Sequence, residues 1–191
     1  TPNPIGCCVD RPPGHGRPLM DASTENWISP IVDTYAVEAS APCRVDMGGT
    51  LDIAIFYYPL QHAARCTFNA ALQLRTRVSL GPYRPGWVKV SSRGFESAAY
   101  PLEEAPFAHP LGLMFAVAAH FRAGGLHIRI DSASPPRSAL GGSSAAAVAL
   151  VGALARCRSL AGGSDLQRDQ AARLAQHIEE TVAGVPCGIQ D

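Results

Sequence analysis

Apolar positions along this chain change period several times, and each change marks an element. From Thr34 to Ser40, Tyr35, Val37 and Ala39 alternate with polar residues, which predicts a strand. It continues from Ala41 towards Asp52, with a turn at Gly48-Gly49. Thr67–Leu80 places Phe68, Ala70, Leu72 and Leu74 on one parity, which predicts one long strand or a hairpin pair. Gly81-Pro82-Tyr83 marks a turn and Trp87–Ser91 a further short strand. Pro101–Pro110 reads as a linker. Leu111–Arg122 is almost wholly apolar and predicts a buried helix capped by Gly124-Gly125, with His120 near its end as a capping or core residue.

Leu126–Asp131 alternates again, as a half-buried strand does. Gly142 to Leu160 is rich in Ala and Leu and predicts a helix roughly 28 Å long, closed by Gly162-Gly163. Ser164 to Gln167 reads as a capping box opening a last helix. Its stripe is Ala171, Leu174, Ala175, Ile178 and Val182. Glu179 lies beside that stripe and faces inward, whereas Gln176 and Glu180 point to the wet side. An inward carboxylate is costly unless it meets a cation. Either a metal ion or an arginine such as Arg173 would serve.

Residues 1–33, rich in Pro and Gly, read as a leader or extended arm, and 34–191 as one domain. At 191 residues and 47% hydrophobic content the chain can bury a core. A formal net charge of zero gives nucleic acid and acidic membrane surfaces no bulk attraction, so neither is an expected partner. Lys89 is the only lysine, which reads as base-composition bias. The six cysteines (Cys7, Cys8, Cys43, Cys66, Cys157 and Cys187) show no C-x-x-C spacing. A reduced, cytoplasmic setting fits them better than a disulfide scaffold. No apolar run reaches the roughly 18 residues that span a bilayer, and no basic region followed by an apolar core opens the chain. The chain starts on Thr1 and stops on a motif residue, so both ends read as cut.

The chemistry centres on Ser134-Pro-Pro-Arg-Ser-Ala-Leu-Gly-Gly-Ser-Ser-Ala145, between the 126–131 strand and the 142–160 helix. The first turn of a helix holds N–H groups without partners, at the positive end of the macrodipole. Glycines let an anion approach them closely. Ser143 and Ser144 add hydroxyls that can cap the helix, touch phosphate or ligate Mg²⁺. An ordinary Gly/Ser turn with a serine cap is the alternative. No lysine follows the glycines, so this is not a Walker-type loop, and G-x-G-x-x-G is absent.

Pro-Pro-x-Ser-x-Leu-Gly-x-Ser-Ser-Ala at 135–145 resembles the ATP loop of the GHMP kinases, which include galactokinase, homoserine kinase and mevalonate kinase. Ala41-Pro-Cys-Arg44, with Gly48-Gly-Thr-Leu-Asp52 after it, resembles that family's N-terminal motif. Gly184-Val-Pro-Cys-Gly-Ile-Gln-Asp191 resembles the sugar-kinase segment bearing the catalytic Asp. The three motifs come in the family's order.

The resemblance implies a definite set of roles. Pro136, Ser138, Leu140, Gly141, Gly142, Ser143, Ser144 and Ala145 would bind ATP. Mg²⁺ would fall to Glu179, five residues before Gly184, with Ser144 or Ser143. Arg44 would stand near the transferred phosphoryl group, where charge develops in the transition state. Asp191 would be the base accepting the hydroxyl proton. Gly188 would lie at the substrate. The 48–52 spacing departs by one residue from the sugar kinases, so Thr50 and Asp52 both stand as sugar ligand. Cys187 would serve shape, not nucleophilic attack.

The implied fold is α/β (α+β): a GHMP kinase N-terminal domain with a ribosomal-protein-like mixed sheet and helices, incomplete at its C-terminal end. The resemblance also leads us to expect the family's C-terminal ferredoxin-like domain to be absent from this chain. The implied function is ATP- and Mg-dependent phosphorylation of a sugar or sugar-phosphate hydroxyl, the anomeric one being the expected acceptor. The missing half is an expected partner, as a second chain or cleaved segment, and this chain alone is expected to be inactive. Phosphorylation of a small non-sugar alcohol such as mevalonate or homoserine is an alternative. A catalytically silent sugar/ATP sensor is another, against which the presence of Arg44, Ser144, Glu179 and Asp191 speaks.

Overall fold

The computed structural model describes residues 6–10, 27–48, 68–135, 138–184 and 187–188. Among them six strands form one mixed sheet: β1 (Gly6–Asp10), β2 (Ala36–Gly48), β3 (Phe68–Pro82), β4 (Trp87–Ser92), β5 (Ala98–Pro101) and β6 (Leu126–Ser132). Their order is β1-β2-β3-β6-β4-β5. Every pairing is antiparallel except that of β4 with β6, which is parallel. The helices are α1 (Ser29–Thr34), α2 (Gly112–His120), α3 (Gly142–Leu160) and α4 (Arg168–Ala183).

Alternation along the strands sets the core. Val37, Ala39, Val78, Leu80, Val88, Val90, Leu126 and Ile128 are buried on one face. α3 packs against β2 and β3, and α2 and α4 pack against α3. α2 is apolar all round because it is enclosed, as such a helix must be. Phe115 is fully buried there and meets Tyr100 edge-on at 5.4 Å. α4 lies at the surface and buries only Ala171, Ala175 and Ile178.

The described parts of the 1–33 segment are built into this domain. β1 adds an antiparallel edge strand to β2. Trp27 and Ile28 are buried, and the Trp27 indole donates to the carbonyls of Phe121 and Arg122 at 3.1 and 3.2 Å. That ties the segment before α1 to the end of α2.

Several local expectations change. β3 is one strand, but Phe68 and Leu74 are exposed and burial begins at Thr76, where β6 joins. It runs through Gly81 and Pro82, so the turn falls later, at 83–86. Part of the expected 101–110 linker forms the end of β5 and a 3₁₀ turn at Leu102–Glu104. α2 does not end on its glycine pair. Arg122 takes the left-handed position (φ 52), with Ala123 N–H bonded to Ala118 O and Arg122 N–H to Ala119 O. His120 is exposed and touches Phe121, so it neither caps nor sits in the core. The capping box uses Gln167 and Gln170, not Ser164.

A left-handed non-glycine residue costs roughly 1–2 kcal/mol. The Arg122 side chain is exposed, and only its carbonyl serves Trp27. Arg122→Gly is therefore expected to stabilise the fold by about 1 kcal/mol. Urea unfolding would show a higher midpoint at an unchanged slope.

Candidate functional site

β6 delivers the chain to the loop, and α3 takes it away. Between them the backbone turns twice through the left-handed region, at Ala139 (φ 57) and Gly141 (φ 68). Gly141 is the N-cap residue of α3 and offers no side chain, so no side-chain oxygen covers the helix end. The first helical bond runs from Ala145 N–H to Gly141 O at 2.9 Å. The N–H groups of Gly142, Ser143 and Ser144 precede that bond and, as orphans of a helix start, are open to an anion. Ala145 is set back, since its N–H closes the helix and its side chain is buried.

The loop is tied to the sheet twice. The β2–β3 register shifts between Pro42 and Arg44, and there Arg44 N–H donates to Leu140 O at 3.0 Å. Arg44 Cγ lies 3.5 Å from where a Gly141 Cβ would sit, so arginine and loop are in contact. The second tie is a chain of side chains. Cys43 Sγ lies 3.7 Å from Thr76 Oγ1, Thr76 Oγ1 2.9 Å from Ser132 Oγ, and Ser132 Oγ 2.9 Å from Ser134 Oγ. Thr76 and Ser134 are buried, and this chain satisfies them. Ser134 Oγ in turn stands 3.0 Å from a would-be Cβ on Gly142.

On the far side of the helix start, Ser144 Oγ donates to Glu179 Oε1 at 3.1 Å. Burial raises the Glu179 carboxyl above the usual carboxylate range. Hydrogen bonds from Ser144 and Ser143 and the charge of Arg44 pull it back only in part. Glu179 thus faces inward as its helical position requires, and its neighbours are these serines and Arg44, while Arg173 is exposed. Ser144 is buried and Ser143 exposed.

Cys187 joins the same neighbourhood. Its N–H donates to Glu180 Oε1 at 3.2 Å, and Gln176 Nε2 donates to its carbonyl at 3.3 Å. Gln176 and Glu180 do not simply face water, as expected, because they hold the 187–188 segment against α4. Burial pushes the Cys187 thiol up, and Glu179 and Glu180 push it further. A thiol held protonated is a poor nucleophile. Gly188 is buried in a β-bridge.

A cavity of about 300 Å³ opens beside the loop. Ser138 to Ser143 form one wall; Leu111 and Met114 of α2, Ile130 of β6 and Phe95 after β4 supply an apolar one. The volume and mixed lining suit a small organic ligand.

The structure brings together Arg44, Ser138, Leu140, Gly141, Gly142, Ser143, Ser144 and Glu179 around one helix start, with Cys187 beside Glu179. Pro136, Thr50, Asp52 and Asp191 lie outside the described residues. Sequence reasoning missed Gln176 and Glu180, although their i, i+4 spacing beside Glu179 was a usable signal. It also missed Thr76 and Ser132, which are far apart in the chain.

Ser144 and Glu179 suit Mg²⁺, a hard cation that takes oxygen donors. Among the described residues no cluster of three or more His, Cys, Asp or Glu could hold a metal alone. One carboxylate and one hydroxyl match a cation shared with a ligand's phosphates. An incompletely compensated carboxylate is what such a cation would relieve.

No curated protein matches the sequence. Among solved structures, the fold resembles a D-glycero-D-manno-heptose 1-phosphate kinase from Bacteriodes thetaiotaomicron (20% identity, TM-score 0.62, 81% of this chain and 51% of that one). It also resembles the Lactococcus lactis galactokinase complexed with galactose (17%, 0.62, 81% and 40%). The Methanococcus jannaschii mevalonate kinase is similar too (15%, 0.59, 82% and 49%). The chain spans about half the length of these structures. Residues 110–191 match the family model described as GHMP kinases N terminal domain, a span holding the cavity's loop, Ser144, Glu179 and Cys187. In sequence over residues 110–191, and in fold over most of its length, the chain is thus similar to a GHMP kinase N-terminal domain.

Proposed function

We propose that this chain is the nucleotide- and metal-holding half of an ATP- and Mg-dependent kinase that phosphorylates a hydroxyl of a sugar or sugar phosphate. The observation that carries the reading is the Ser144–Glu179 pair at an uncapped helix start, with Arg44 against the same loop. The open N–H groups of Gly142, Ser143 and Ser144 would donate to phosphate oxygens, while the cavity takes the base. Ser144 and Glu179 would hold Mg²⁺, which supplies charge neutralisation on those oxygens. Arg44 is a fixed cation for the charge that develops on the transferred group.

The acceptor hydroxyl oxygen forms a bond to the γ-phosphorus as the bond to the ADP oxygen breaks. Asp191 takes the hydroxyl proton. Thr50, Asp52 and Gly188 are proposed to hold the acceptor. A second half, continuous with this chain or separate, is proposed to complete the site, because the kinases of this fold are about twice as long. The Gly184–Asp191 motif favours a sugar acceptor. Phosphorylation of a non-sugar alcohol stands as the second reading, since the fold matches a mevalonate kinase nearly as well. A cytoplasmic setting belongs to the same proposal, and no described helix is long and apolar enough to cross a membrane.

The test is ADP release from Mg-ATP by the full-length protein containing this chain. The panel is hexoses, 6-deoxyhexoses, heptose phosphates, mevalonate and homoserine, with Asp191→Asn alongside. Turnover on a sugar, lost in the variant, is the expected result. Turnover on mevalonate or homoserine alone supports the second reading, and absence of nucleotide binding by the folded protein overturns both.

A further inference from the structure

The sheet has a second face, pointing away from its helices, and its polar residues are arranged by strand register. On β4 and β6, Lys89 lies beside His127 and Ser91 beside Arg129. On β3, Gly81 lies opposite His127 and Ser79 opposite Arg129. Their sequence neighbours Val88, Val90, Leu126 and Ile128 are buried on the helix side. The Ser91 hydroxyl is 2.9 Å from His127 Nε2. The Tyr83 ring packs 6.2 Å from the imidazole, and Lys89 Nζ lies 5.7 Å from the Tyr83 centroid. The Arg129 guanidinium folds over Gly81, with one nitrogen 2.7 Å from where a Cβ would be.

This arrangement works against folding. Lys89 on the neighbouring strand and Arg129 two residues along β6 flank the imidazole, and both would repel its protonated form. Burial, then Arg129, then Lys89 hold His127 down at about 4, so it is neutral at pH 7. Neither Lys89 nor Arg129 has an acidic partner among the described residues. The next row out differs. Arg77 pairs with Glu38 at 2.7 Å, and Arg93 approaches Asp131 at 4.0 Å. Lys89 and Arg129 are thus the cations of their two rows that lack a carboxylate among the described residues. Local rules broken without compensation mark functional sites.

We propose that Lys89, Ser91, His127 and Arg129 form a binding site for a doubly charged tetrahedral oxyanion, a phosphate or sulfate group. Lys89 on β4 and the Arg129 guanidinium over Gly81 of β3 approach His127 from its two sides, so a group bound over the imidazole lies between both cations. None of the four lines the cavity by the glycine loop, and the site does not depend on the kinase reading.

The bound dianion would supply the missing counter-charge. It would stabilise imidazolium as well as the two side-chain cations. The test is an NMR titration of the His127 imidazole in the intact chain. Sulfate, which stays a dianion across the range, is compared with chloride at equal ionic strength. The His127 midpoint is expected to rise from about 4 in chloride by one unit or more in sulfate. Lys89→Ala and Arg129→Ala are each expected to raise the chloride midpoint, because a repelling charge is gone, and to abolish the sulfate response. At pH 7.5, inorganic phosphate and glycerol phosphate are then compared through the amide shifts of Ser91 and Arg129. Response to both assigns the bare oxyanion, and response to one names its source. A midpoint equal in sulfate and chloride, with no amide response to either phosphate, overturns the site.

Discussion

Glu179→Gln is expected to lower phosphoryl transfer by about 10²-fold or more and at the same time to raise the melting temperature at neutral pH. The rate effect follows from the proposed role. Glutamine keeps the shape and can still meet Ser144, but it removes the carboxylate that Ser144 bonds at the helix start. The stability effect has the opposite sign because burial holds the Glu179 carboxyl above the usual range. The folded protein then binds that proton more tightly than the unfolded chain does. The stability linked to this group is complete in acid, below the unfolded value. It is lost as pH rises through the folded value, so the ionised carboxylate is a net cost at pH 7. Glutamine removes that cost and flattens this part of the pH dependence. Thermal melts of both proteins between pH 4 and 8, without and with Mg-ATP, check it. Ligand-induced stabilisation should be larger in the wild type. A variant that is both less stable at pH 7 and fully active would remove Glu179 from the site.

Gly112→Ala is expected to destabilise the fold by about 3 kcal/mol. Its Cβ would fall 1.9 Å from the carbonyl oxygen of Phe107 and 2.5 Å from its carbonyl carbon. Both atoms are backbone, so no rotamer change relieves the clash. The 106–111 loop is held by its own bonds: His109 N–H to Pro106 O, Gly112 N–H to His109 O at 2.7 Å, and Leu111 N–H to His109 Nδ1. Pro110 and Leu111 line the cavity, so the loop must shift with them. The same substitution is expected to weaken nucleotide binding at temperatures where the protein is still folded. Denaturant unfolding and calorimetric titration with ATP measure the two effects separately. Wild-type stability would contradict the close approach.

The lesson about legibility lies in particular residues. The 142–160 helix was readable to the residue, because a Gly-Gly pair opens it and an Ala/Leu run fills it. The inward position of Glu179 followed from 3.6-residue spacing along α4. The 135–145 motif placed the site at that helix start, where Arg44, Ser144 and Glu179 do converge. Helix ends were harder. Arg122, not the Gly124-Gly125 pair expected to cap the helix, takes the left-handed position, because the Schellman bonds fix where α2 stops. Gln167 displaced Ser164 because its side chain and Gln170 satisfy each other's backbone. Links across the sheet left no local trace at all. Thr76, Ser132 and Ser134 look like ordinary strand and loop hydroxyls until β3 and β6 are paired. Tertiary pairing decides such contacts, and one-dimensional periodicity does not report it.

The strand order carries a consequence for how the molecule is made. β3 and β4 are joined by a four-residue turn, yet β6 lies between them. A nascent chain emerging at roughly 5–20 residues per second would have both strands available for seconds before residue 132. During that interval the edges of β3 and β4 that β6 will cover stay unsatisfied, and a direct β3–β4 hairpin is the obvious wrong partner. Arrival of β6 excludes that hairpin and brings the glycine loop out behind it. The glycine loop and the closed sheet are therefore born in one event, late in synthesis and at high sequence separation, which makes biogenesis of this region intrinsically slow.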